Sequence, residues 1–75
     1  MSDVTTLVDV CNELHRARSK HADFTKRHEA YAVILEELDE VKDVVWHDGQ
    51  DKDLRGELLQ VAAMAIRAIV DLKLT

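Results

Sequence analysis

Over residues 54–72 the chain is apolar on almost every side of a helix, and that one segment limits what it can fold into. Leu54, Leu58, Val61, Ala65, Ala68 and Leu72 recur at the three- and four-residue steps of a single helical stripe. Leu59, Ala63, Ile66 and Val70 make the back nearly as apolar, leaving only a narrow polar sector with Gln60, Arg67 and Asp71. A helix of this kind is normally buried on most of its sides. Yet the chain has 75 residues, and so short a chain buries only roughly 60% of its unfolded surface. Its single Cys forms no internal disulfide. The missing cover has to come from another copy, and the sequence therefore predicts a homo-oligomer, a dimer or a tetramer.

The other segments share that helical character. There is no Pro, only two Gly, and aromatic residues make up 4% against an apolar fraction of 47%. Strong helix formers without breakers predict an all-α chain. Residues 19–25 form a polar break and Asp48-Gly49 reads as a helix stop. A single domain over residues 1–75 follows, a short bundle of about three helices near 3–18, 25–46 and 53–73. Asp23 or Thr25 is expected to cap the second helix and Asp51 or Asp53 the third. On the first helix Val4, Leu7, Val8, Cys11 and Leu14 form the apolar stripe, which places the Cys11 thiol inside.

The charge balance narrows the function classes. A net charge of −5 argues against a general nucleic-acid binder, which needs a basic face. No run reaches the roughly 18 apolar residues of a membrane span, and the start lacks the basic residues of a signal peptide. The expectation is a cytoplasmic protein with neither nucleic acid nor membrane as partner. Cys11 and His15, four apart, supply two zinc ligands where a structural site takes four. His28-Glu29 is followed by Ala32 where a zinc-protease helix needs a second His.

The acidic residues of the second helix are more informative. Phe24, Tyr31, Ile34, Leu35, Leu38, Val41 and Val45 fall on one side, and Val33 and Val44 widen that arc. Glu37 lies inside the widened arc, Glu40 at its margin, and Glu36 one turn before Glu40. On the third helix Glu57 sits at the edge of the main stripe, and if the second and third helices pack antiparallel it can approach them. Burying a carboxylate is costly unless a cation meets it. Two readings follow. The glutamates form an oxygen-rich pocket for Mg²⁺, or they edge a helix interface and pair with Lys42, Lys52 or Arg55.

The order of these residues bears on the choice. Glu36-Glu37-Leu38-Asp39-Glu40, a sixteen-residue spacer and Glu57-Leu58-Leu59-Gln60 resemble the EExxE…ExxD signature of the MazG-like all-α nucleoside triphosphate pyrophosphohydrolases. The flanks are similar too, with residues 28–35 running into the first motif and Leu54-Arg55-Gly56 into the second. The resemblance covers roughly residues 20–73. It implies a helical bundle that dimerises or tetramerises, with sites between helices and often between subunits. It also implies Mg²⁺-dependent hydrolysis of a nucleoside triphosphate to a monophosphate and pyrophosphate, with Mn²⁺ as a second metal. Carried over by position, Glu36, Glu37, Glu40 and Glu57 match the metal-ligand or water-activating carboxylates, with Glu36 and Glu37 the catalytic candidates. Gln60 stands where the signature has Asp and is the remaining ligand position. Lys42, Lys52 and Arg55, with Arg67, are the candidate phosphate contacts. The alternative is a non-catalytic oligomer of the same fold that binds nucleotide or another protein.

Overall fold

The computed structural model describes residues 2–74. They form α1 (Asp3–Lys20), α2 (Arg27–Trp46) and α3 (Asp51–Asp71), with no strand among the described residues. α3 is the spine. α2 returns along it as an antiparallel hairpin through residues 47–50, and α1 runs alongside α3 in the same direction, pairing Asp9 with Arg55, Glu13 with Gln60 and Arg18 with Asp71. No Cα of α1 comes within 8 Å of one in α2, so each outer helix packs on α3 alone.

The helix starts differ from the expected caps. Ser2 caps α1, its hydroxyl accepting the Thr5 N–H at 3.2 Å. α2 begins after Lys26 and α3 after Gln50, neither with a side-chain cap. Asp23 is drawn instead to Arg18 at 3.2 Å. The Thr25 N–H is taken by Glu29 Oε1, which reaches back from the first turn of α2. Asp51 and Asp53 lie inside the first turn of α3, where negative charge favours the helix dipole.

The stops use one device twice. The Gly49 N–H donates to Val44 O at 2.8 Å and the Asp48 N–H to Val45 O, a Schellman pair that satisfies the last carbonyls of α2. Asp48, not Gly49, carries the positive φ of 52°. Gly49 is needed for space, because a Cβ there would stand 2.8 Å from Val44 Cγ1. α3 ends likewise, with Lys73 at φ 57° and the Leu74 N–H on Ile69 O.

Burial corrects three of the expected faces. The core is Val10, Ala17, Phe24, Ala30, Ala63, Met64 and Ala68. α1 therefore packs through Val10, Leu14 and Ala17, whereas Val4, Leu7, Val8 and the Cys11 thiol are exposed. α2 turns Ala30, Val33 and Ile34 to the core and leaves Tyr31, Leu35, Leu38 and Val45 outside. In α3 the polar sector points inward. Arg67 is 4% exposed and the Asp71 side chain 2%, while Leu58, Ile66, Ile69 and Val70 face out. The physical reason is a buried network that only those polar groups complete. Asp71 accepts from Arg18 at 2.8 Å and from the Phe24 N–H, and lies 3.7 Å from Arg67 Nε. Arg67 in turn donates to Ala22 O at 2.6 Å and stacks 3.9 Å over the Phe24 ring.

A candidate metal centre at the head of a cleft

The antiparallel hairpin brings Glu37 of α2 against the first turns of α3. Glu37 and Glu40 are three residues apart and so lie one turn apart on the same face. Glu57 faces them from α3, and one carboxylate oxygen from each of the three lies within 4.8 Å of the others. The local sequence explains the depth. Glu37 is flanked by Val33, Val41 and Val44, all half-buried, so its carboxyl stays close to the α2–α3 interface.

Electrostatics follow from that crowding. Burial, then the charge of Glu40 and a hydrogen bond with it, then Glu57 and Glu36, push the Glu37 carboxyl from 4.5 up to about 7. A hydrogen bond with Glu40, burial, and the charges of Glu40 and Asp53 raise Glu57 as well. Two oxygens of the cluster, Glu37 Oε2 and Glu57 Oε2, are shut off from solvent and have no hydrogen-bond partner. Buried carboxylate oxygens without donors require either protons or a cation. The donor set is all oxygen, which suits a hard divalent ion such as Mg²⁺ or Mn²⁺. These residues therefore fit the metal that the sequence suggests, and Glu37, Glu40 and Glu57 are the side chains that would hold it.

Beside the cluster a cleft of about 480 Å³ opens between α1 and α2, floored by α3. That volume is in the range of a small-ligand site. Glu36 and Glu37 form one wall, Glu13 and Arg16 the opposite wall, and Gln60, Met64 and Arg67 the floor. Lys20 and His21 stand at the end near Arg67. Along α3 the step from Glu57 to Arg67 is about 15 Å, and the end of the cleft near Arg67 is of mixed charge, with Asp23 and Glu29 lining it beside Lys20.

Of the residues singled out from the sequence, Glu37, Glu40 and Glu57 meet in the cluster and Glu36 borders the cleft without joining it. Gln60 lies on the cleft floor, its Nε2 donating to Glu13 Oε2. Lys42 and Lys52 are exposed and line neither this cleft nor a second cavity of about 390 Å³ between the N-terminal halves of α1 and α3. Arg55 belongs to that second cavity and pairs with Asp9. The cations of the cleft are Arg16, Lys20 and Arg67, and the first two were missed. So was Glu13. Its signal was a carboxylate beside the Val10–Leu14–Ala17 face, concealed by a neighbouring stripe that looked more apolar.

Compared with protein-family models, with curated proteins and with solved structures, the chain matches none.

Proposed function

We propose that this chain is a Mg²⁺-dependent nucleoside triphosphate pyrophosphohydrolase of the MazG-like kind, working as a homo-oligomer. The observation that carries this reading is the pair of solvent-excluded, partnerless oxygens on Glu37 and Glu57, beside a cleft of about 480 Å³ that Glu37 lines. An interface edge would leave its glutamates paired with nearby lysines, yet among the described residues Glu37, Glu40 and Glu57 make no salt bridge to Lys42 or Lys52.

The chain's own residues divide the work. Glu37, Glu40 and Glu57 would hold a divalent ion, which when bound would supply positive charge for the phosphates and make a water molecule more acidic. Glu36, exposed on the cleft wall one residue before the cluster, is positioned to accept a proton from water at the cleft. Arg16 and Lys20 balance phosphate charge on the opposite side, and the half-buried Val33 offers apolar surface on the cleft wall.

Oligomerisation is supported by what lies outside. Trp46 is 73% exposed, Val70 59% and Ile69 52%, and with Tyr31, Leu35 and Leu38 they make an apolar exterior too large for a lone chain. No helix among the described residues is long and apolar enough to cross a membrane, so a membrane-spanning role does not explain that surface.

The test is pyrophosphate release from a panel of ribo- and deoxynucleoside triphosphates with Mg²⁺ or Mn²⁺. Turnover that disappears in Glu37→Gln is the expected result. A folded oligomer that binds nucleotide without releasing pyrophosphate from any of the panel would replace this reading with the non-catalytic one, which the neutral Gln60 favours.

A further inference from the structure

Gln60 and Glu13 meet where α1 and α3 close the cleft. Gln60 Nε2 donates to Glu13 Oε2, and Glu13 Oε1 takes Arg16 Nη1 at 2.8 Å. The Glu13 side chain is 15% exposed, so the pair is largely withdrawn from water. A carboxylate only accepts, whereas an amide has donors on one branch and an acceptor on the other. Glu13 therefore decides which way Gln60 is turned. The nitrogen faces α1, and the carbonyl oxygen, on the same planar carbon, is turned from Glu13. Across the cleft stand Glu36 and Glu37, and Glu57 lies one turn back on the same face of α3.

We infer that Glu13 is a positioning residue that aims the Gln60 carbonyl oxygen at the cation held by Glu37, Glu40 and Glu57, so that a neutral amide serves where the resembled signature carries Asp. This rests on the metal reading above. The two positions form a unit. A carboxylate at position 60 would face Glu13 as a like charge, and an amide at position 13 would leave Gln60 free to turn either branch to the metal. Swapping the two side chains keeps the hydrogen bond and its geometry, and returns a negative ligand to α3.

The experiment measures Mn²⁺ affinity from the loss of the free-ion electron paramagnetic resonance signal, with no nucleotide present. Glu57→Gln should abolish binding. Glu13→Gln, which preserves size and packing, should weaken it about tenfold or more, the scale of one charge-assisted hydrogen bond. Gln60→Glu alone should bind Mn²⁺ less well than the double swap Glu13→Gln/Gln60→Glu, which should bind at least as tightly as the parent. A purely structural role for Glu13 predicts that Gln60→Glu binds at least as tightly as the double swap, since both add the same carboxylate to α3. Parental affinity in Glu13→Gln, or a Gln60→Glu variant that binds as tightly as the double swap, overturns the inference while the Glu57→Gln result leaves the metal site standing. Absence of Mn²⁺ binding in the parent overturns both.

Discussion

The Phe24 backbone N–H donates to Asp71 Oδ2 at 2.9 Å, tying the α1–α2 connection to the last turn of α3. Burial by itself would raise the Asp71 carboxyl. The Phe24 N–H, the Arg18 hydrogen bond, and the Arg18 and Arg67 charges outweigh it and hold the group below its ordinary value. Removing that charge leaves the guanidinium of Arg67 buried without its counter-charge, a loss of about 3–5 kcal/mol. For a chain of this size that is a large part of the total. Asp71→Asn should lower the urea midpoint sharply. The lowered pKa means the contribution is present above pH 3.8 and lost as pH falls through the folded value, so parent and variant should converge in acid.

The cluster has the opposite sign. The Glu37 carboxyl sits at about 7 when folded against 4.5, so between those values the folded state binds more protons than the unfolded one. Its stabilisation is complete below pH 4.5 and lost as pH rises through 7. Without divalent cation the Tm should therefore fall across that window, and Glu37→Gln should flatten the fall. Mg²⁺ competes with the same protons, so its stabilisation of the parent should grow with pH and be absent in the variant.

The turn after α2 gives a pair of opposite effects. Gly49→Ala places a methyl 2.8 Å from Val44 Cγ1 and should cost about 1–3 kcal/mol. Asp48→Gly relieves a left-handed non-glycine residue and should gain about 0.5–1 kcal/mol. Thermal melts of the two variants at matched concentration check both signs.

The apolar outer face of α3 makes a prediction about mass. Light scattering after size exclusion should give a multiple of 8.5 kDa for the parent. Ile69→Asp/Val70→Asp, both outside the core network, should shift the chain toward 8.5 kDa.

How far these features were legible in the sequence depends on the range of the interaction that made them. Helix number and the Asp48-Gly49 stop depend on local chemistry, and they were readable. The approach of Glu57 to Glu37 was readable only on condition of an antiparallel hairpin, which the four-residue link between the two helices supplies. The facing of each helix was not. Periodicity selects the most apolar stripe for the inside, whereas α3 turns Arg67 and Asp71 inward because Arg18, Phe24 and Ala22 meet them there. Those partners are 45 to 53 residues away along the chain, a distance at which no periodic pattern carries information. The left-handed Asp48 escaped for a smaller reason, since Gly49 was the residue expected to take positive φ.

Because α1 and α2 each rest on α3 and not on each other, the chain has an order in which it comes apart. α1 leaves by breaking its contacts with α3 and the connection, while the hairpin that carries Glu37, Glu40 and Glu57 stays closed. Amide exchange should then divide the molecule into a slow pair of helices and a faster first one. The wall of the cleft on that helix carries Glu13 and Arg16, so loosening of the first helix should widen the cleft.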